Sequence, residues 1–372
     1  MPIPDFAIER YFQQHEFTAR HLLSSSDAET ISMAELVASA DEEAAALWRD
    51  LRLGYTEVAG HPLLRAAIAA SYRGVEAEDV LVFSGAEEPI LAIGMALVSP
   101  GDHVVCLTPC YQSLHEVARS AGAEVTLVPL SSGAGRWRLD LDALRAAIRP
   151  GTTRLVVVNV PNNPTGWLPD PGTWATIVAI TEAAGARLVA DEVYRGIELG
   201  DAPRLAAAVE SSERALSIGV LSKAHGLPGL RIGWVASKDR AVLDALARFK
   251  HYATICASAP SEVLAIMALR IGDRLIARNA GLARRHADLL AAFVERSDGR
   301  YALARPDGGT VAFPELRTGE RIEPFCARLV HDHGLLLLPG TTFHWPGEHF
   351  RIGFGRADFG ECLAVLERAD GA

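Results

Sequence analysis

Short apolar runs alternate along this chain with longer stretches whose apolar positions recur at helical spacing. The runs with strand character are Val80-Leu-Val-Phe83, His103-Val-Val-Cys-Leu107, Glu124-Val-Thr-Leu-Val128, Leu155-Val-Val-Val158, Arg187-Leu-Val-Ala190, Ala215-Leu-Ser-Ile-Gly-Val220 and Ile232-Gly-Trp-Val-Ala236. A run with no polar alternation, such as Leu155–Val158, is expected of a parallel strand buried on both faces. Helical patterns follow Gly60, run through Leu97, span Leu139–Ile148 and fill residues 261–297. Near the start, Ile8, Phe12 and Phe17 mark an amphipathic stretch. The last quarter predicts a strand (Gly309–Phe313), a helix (Glu323–His333), strands at Leu335–Leu338 and Phe350–Phe354, and a helix (Cys362–Ala369). This alternation predicts an α/β fold with a mostly parallel sheet in a large domain, beside a small α+β domain.

Polar groups stand where these strands end. Asp191 closes one, and Asn159-Val-Pro-Asn-Asn-Pro-Thr-Gly166 closes another. Ligands of open α/β sheets sit beyond the carboxyl ends of strands, although Asn-Pro and Thr-Gly are also ordinary turn signals and Asp191 could cap a helix. After Val80–Phe83 comes Ser84-Gly-Ala-Glu-Glu88 and then a helix. That geometry offers backbone N–H groups to a phosphate at a helix N-terminus. Lys223 sits in Val220-Leu-Ser-Lys-Ala-His-Gly-Leu-Pro-Gly-Leu-Arg-Ile-Gly-Trp234, with Arg231 further along the same segment. Apolar surroundings disfavour a charged amine, and a neutral amine is a nucleophile able to form a Schiff base. Arg231 has the planar donor fork that suits a phosphate.

Composition narrows the classes. The formal net charge is −10 over 372 residues, which argues against nucleic acid as a partner. Five cysteines lack CxxC pairing, which points to reduced thiols and neither a disulfide framework nor zinc. His331, His333, His344 and His349 lack metal-ligand spacing, so no metal is expected. No leader pattern and no apolar run of membrane-spanning length stand out, and the expected location is the cytoplasm.

Taken together, Asn159–Gly166, Asp191-Glu-Val-Tyr194, Ser222-Lys223 with Arg231, and Arg351-Ile-Gly-Phe-Gly355 resemble the fold-type I pyridoxal 5'-phosphate (PLP) enzymes, in particular the class I/II aminotransferases. The resemblance runs in order over almost the whole chain. It implies the aspartate aminotransferase-like fold, with a seven-stranded-type sheet in a large PLP-binding domain (41–262) and a small domain built from residues 1–40 and 263–372.

The resemblance also implies roles. Lys223 would carry PLP as a Schiff base and take the α-proton, leading to a quinonoid intermediate. Asp191 would face the pyridine nitrogen, and Asn163 and Tyr194 the phenolic oxygen. Tyr111 would cover the ring. Gly85, Ala86, Glu87 (through its backbone), Ser222 and Arg231 would hold the phosphate, joined by Tyr55 reaching across from the other copy of a homodimer. Arg351 would clamp the α-carboxylate. The family often has a serine three residues before the lysine, where this chain has Val220, and many relatives have a second aromatic where it has Leu114. The lysine segment and the C-terminal third resemble the subgroup of capreomycidine synthases. Ser24–Asp27, Gly85–Glu88 and Pro109–Leu114 resemble related cyclases of guanidine-containing amino acids. In that subgroup acidic Glu9 and Asp27 would suit a guanidinium. Transamination of an L-α-amino acid is the first expectation, and elimination with cyclisation of a hydroxylated arginine-like substrate the second. A non-catalytic protein of the same fold is the third.

Overall fold

Seven strands form one sheet in the order Val80–Phe83, Gly233–Ala236, Leu216–Val220, Arg187–Asp191, Thr153–Asn159, His103–Thr108, Glu124–Pro129. Gly233–Ala236 runs antiparallel to both neighbours, and the other pairs are parallel. The structure is a computed structural model and describes residues 3–200 and 204–370. Strand side chains alternate between faces, and the apolar runs therefore divide between two cores. Val104, Leu155 and Val157 pack with Ile93 of helix Glu87–Leu97 and Leu246 of helix Arg240–His251. Val105, Val156 and Val158 pack with Trp174 and Ile177 of helix Pro171–Ala183. Asp170 starts that last helix by accepting from the Gly172 and Thr173 N–H groups, with Pro171 in its first turn.

The two chain ends meet beside this sheet. His21–Leu22 pairs in parallel with Leu335–Leu336, and Phe350–Gly353 lies between Val311–Ala312 and Leu338–Pro339. The glycines of Arg351–Gly355 have a reason here. A Cβ on Gly353 would come within 1.6 Å of the Ser25 carbonyl oxygen, and one on Gly355 within 2.3 Å of the Asp27 carbonyl oxygen. Only bare backbone lets residues 23–29 lie against that strand. The Gly353 N–H donates to the Leu23 carbonyl at 2.8 Å, and the Glu29 N–H to the Gly355 carbonyl at 2.9 Å.

Two expected elements differ from the observed ones. The expected strand Leu335–Leu338 is two short strands belonging to two sheets, divided at Leu337. All four residues are leucine, so periodicity offers no break, and the division follows from where each half finds a partner. The helical region 261–297 is two helices, Ala259–Arg270 and Gly272–Glu295, which meet at Ile271. Among the described residues, no helix is long and apolar enough to cross a membrane.

Candidate active site

The parallel strands deliver their last residues to one rim. Asn159 and Asp191 are paired in register there, and the Asn159 amide donates to the Asp191 carbonyl at 3.0 Å while its Oδ1 accepts from the Asn163 N–H at 2.5 Å. Asn162 ties the same loop to the Pro109 carbonyl at 3.0 Å. A cavity of about 400 Å3 opens over this rim. Every residue given a cofactor or substrate role above lines it except Gly85 and Tyr55.

Lys223 stands on the cavity floor, and its Nζ donates to Ser26 Oγ at 2.8 Å. Burial depresses its pKa from 10.5 to about 8, against the pull of the Asp27 carboxylate. Tyr194 donates from its hydroxyl to the Ser26 carbonyl at 3.0 Å, as does Thr310 at 2.8 Å, so Ser26 is held from two sides. Burial raises Asp191 to about 6, opposed by the Val193 N–H, which donates to Oδ1 at 3.2 Å, and by Lys223.

Arg351 is 1% exposed, a fully buried guanidinium. Its Nε and Nη2 donate to the Ser24 carbonyl at 3.2 and 2.8 Å, and Nη1 donates to Asn163 Oδ1 at 3.0 Å. Phe12 and Phe343 each lie 5.7 Å from its Cζ. Among the described residues no carboxylate forms an ion pair with it, and a buried cation without a counter-charge favours an anionic ligand.

The corner formed by Ala86, Glu87, Ser222 and Arg231 fits a phosphate. Ser222 Oγ is buried without a hydrogen-bond partner, and helix Glu87–Leu97 begins there. A Cβ on Gly85 would lie 2.3 Å from Arg231 Nη2, and one on Gly233 would lie 2.4 Å from the Gly85 carbonyl oxygen, so these glycines let arginine and turn meet. The Glu87 side chain accepts from Ser113 at 3.2 Å, and burial raises its pKa to about 7, which weakens its repulsion of an anion.

The model for the aminotransferase class I and II family matches residues 23–367. The chain belongs to this family of PLP-dependent enzymes. It is 36% identical to capreomycidine synthase of Streptomyces vinaceus, over 98% of this chain and 92% of that protein. It is 30% identical to arginine–pyruvate transaminase of Pseudomonas aeruginosa, over 80% of this chain and 77% of that protein. Among solved structures, the PLP-dependent cyclase OrfR has a TM-score of 0.90 at 31% identity, covering 99% of this chain and 97% of its own. A PLP-dependent aminotransferase of Streptococcus suis has a TM-score of 0.92 at 30% identity, covering 100% and 98%.

Within this family framework, the remaining residues take these positions. Tyr111 covers one wall, packs on Phe6 at 4.8 Å between ring centroids, and donates from its hydroxyl to Glu9 Oε1 at 2.6 Å. Asp27 is not a free carboxylate. Arg356 donates to both its oxygens, at 2.9 and 3.0 Å. Leu114 points away from the cavity into the core beneath helix Glu87–Leu97, so it does not shape the substrate side. Tyr55 is 90% exposed and lies outside this chain's cavity.

Sequence reading missed Ser26, Glu16 and Arg356, which all line the cavity. Ser26 lies inside the Ser24–Asp27 stretch already quoted, and Arg356 is the residue after Gly355. Nothing local distinguishes either from a surface residue. Only the pairing of the two chain ends brings them in.

Proposed function

We propose that this chain is a PLP-dependent enzyme acting on a cationic, arginine-like L-α-amino acid, which it dehydrates and cyclises. The carrying observation is one cavity that holds a buried amine of depressed pKa, Lys223, and a buried guanidinium, Arg351, that forms no direct ion pair among the described residues. Ser222, Arg231 and the 85–87 turn would hold the PLP phosphate, Asp191 the pyridine nitrogen, and Asn163 with Tyr194 the phenolic oxygen. Tyr111 would face the ring. When bound, PLP supplies an electron sink for the pair left on the substrate Cα. Arg351 binds and orients the α-carboxylate. Lys223 Nζ removes the α-proton, and its lowered pKa leaves much of it neutral near pH 8. The hydroxyl then leaves with that proton as water, a guanidine nitrogen closes the ring on the carbon it left, and the proton that nitrogen gives up returns to Cα.

The lip of the cavity favours the cationic side chain. Glu9, Glu16 and Asp27 face it, and Arg356 offsets only one of these carboxylates. All three acidic residues belong to the N-terminal stretch, which the full-length likeness to capreomycidine synthase includes. That moves cyclisation ahead of transamination, the first expectation from sequence. Transamination of the same substrate class is the second reading, favoured by the likeness to arginine–pyruvate transaminase. The exposed Tyr55 supports a homodimer in which it reaches the other copy's phosphate site. Residues 41–262 would form the PLP-binding domain, and residues 1–40 with 263–372 the smaller one.

The test is to mix PLP-loaded protein with arginine and hydroxylated arginines, without a keto acid, and to follow the cofactor spectrum and product masses. Repeated turnover with a product lighter by one water supports cyclisation. One equivalent of pyridoxamine phosphate, arrested until a keto acid is added, establishes transamination instead. Inertness toward every amino acid would leave the non-catalytic reading.

A further inference from the structure

Loss of water needs a proton delivered to the leaving hydroxyl as well as one removed from Cα. In the reaction proposed above Lys223 removes the α-proton, which then has to travel to the hydroxyl oxygen. Among the described residues, Lys223 Nζ has one hydrogen-bond partner, Ser26 Oγ at 2.8 Å.

Ser26 is half-buried and lines the cavity. Its hydroxyl oxygen accepts from Lys223, and its own proton has no acceptor among the described residues. A hydroxyl is one donor and two acceptor sites, so Ser26 can give a proton while it receives one. The phenols nearby are committed elsewhere. Tyr194 donates to the Ser26 carbonyl at 3.0 Å, and Tyr111 donates to Glu9 Oε1 at 2.6 Å. Both oxygens of Asp27 accept from Arg356. Ser25, Glu16 and Glu87 also line the cavity, but none of them hydrogen-bonds to Lys223.

The path of residues 24–27 puts Ser26 beside the reacting carbons. The Ser24 carbonyl accepts from Arg351, which would bind the α-carboxylate, and the Asp27 side chain pairs with Arg356 at the lip. Ser26 stands between these two ends of the substrate, next to the amine that would remove the α-proton. Its main chain is fixed independently of its side chain, because the Ser26 carbonyl accepts from both Tyr194 and Thr310.

We infer that Ser26 is a catalytic residue that relays the proton from Lys223 to the leaving hydroxyl. Lys223 Nζ, charged once it holds the α-proton, gives a proton to Ser26 Oγ. Ser26 in turn gives its own proton to the hydroxyl on the carbon next to Cα. The C–O bond breaks with its electron pair on the departing water, and the pair released at Cα becomes a second bond between the two carbons. Lys223 is neutral again, and no oxidant or reductant is consumed. The relay belongs to the cyclising reading of the site and stands only with it.

Ser26→Ala tests the relay, because it removes the hydroxyl and keeps both hydrogen bonds to the main chain. Full-length, PLP-loaded protein is first given arginine in D2O, where α-deuterium uptake measured by mass reports proton removal alone. It is then given arginine hydroxylated on the carbon next to Cα, where a product lighter by one water reports the whole relay. Ser26→Ala should form that product about 10²-fold more slowly, yet take up deuterium from D2O into arginine at nearly the unsubstituted rate. Ser26→Thr, which keeps a hydroxyl, should recover most of the loss. Unchanged water loss in Ser26→Ala, or an equal fall in both readouts, would overturn the relay and leave the cyclising reading intact. Transamination of the hydroxylated substrate by the unsubstituted protein would overturn that reading and the relay with it. Should Ser26→Ala fail to fold by circular dichroism, Ser26→Gly decides on the same terms.

Discussion

The floor and the lip of the cavity are built in different ways. Asp191, Asn163 and Ser222 are buried at strand ends or in the loops just beyond them, and Lys223 follows directly on Ser222. Those positions follow from the register of one sheet. Glu9, Glu16, Asp27 and Arg356 form the lip, and they come from opposite ends of the chain. They are exposed or half-buried, and their geometry rests on pairings such as Asp27–Arg356 and Tyr111–Glu9. A buried floor can tune a pKa by desolvation, because water is excluded there. A wetter lip cannot do this as strongly, but it can select charge. In the proposed function, the floor carries the general amino-acid chemistry and the lip selects the side chain.

The largest effect expected is on the floor. Lys223→Ala should lower turnover by roughly 10⁴-fold or more, because it removes both nucleophile and base. Rapid-mixing measurements with arginine would check this, and steady turnover by the variant would sink the assignment. Arg351→Met should lower kcat/KM by about 10²-fold for α-amino acids through lost orientation. It should do little to the reaction with an amine that lacks the carboxylate.

A pH experiment tests the floor without substrate. The rate at which cofactor-free protein captures added PLP, read by absorbance, should rise with pH and level off above about 8, where Lys223 becomes neutral. Below that, it should fall about tenfold per pH unit. A plateau reached only near 10 would contradict the depressed pKa. Asp27→Asn links the two regions. It removes a carboxylate that pulls the Lys223 pKa upward, so the plateau should begin at lower pH.

Lip substitutions should be milder and selective. Glu9→Gln and Glu16→Gln should each raise KM for arginine about fivefold, the scale of an exposed ion pair, and leave KM for norleucine unchanged. Equal changes for both substrates would remove the division of labour between floor and lip. The smallest expected effect is on stability. Asp27→Asn breaks a half-buried bidentate pair and should cost about 1 kcal/mol in denaturant unfolding.

Much of the floor could be read from the chain. The apolar runs ending at Asn159 and Asp191 predicted both the sheet and the edge that lines the cavity, because strand burial and strand-end chemistry are local patterns. Lys223 and Arg231 were legible through their glycine-rich setting. The lip was only half legible. Asp27 was singled out as a free acid, but its partner Arg356 lies more than three hundred residues away. Leu114, where many relatives have a second aromatic, turns into the core, because the helix Ser113–Ser120 presents that face to its neighbour.

The sequence by itself determined which segments are strands and helices, and which residue types stand at the strand ends. Both depend on hydrophobic period and backbone preference within a few residues. Tertiary structure alone decided that Ser26 meets Lys223 and Tyr194, and that Arg351 is buried with no direct ion pair among the described residues. Those facts are set by contacts between distant segments, and desolvation exists only once the chain has closed around a group.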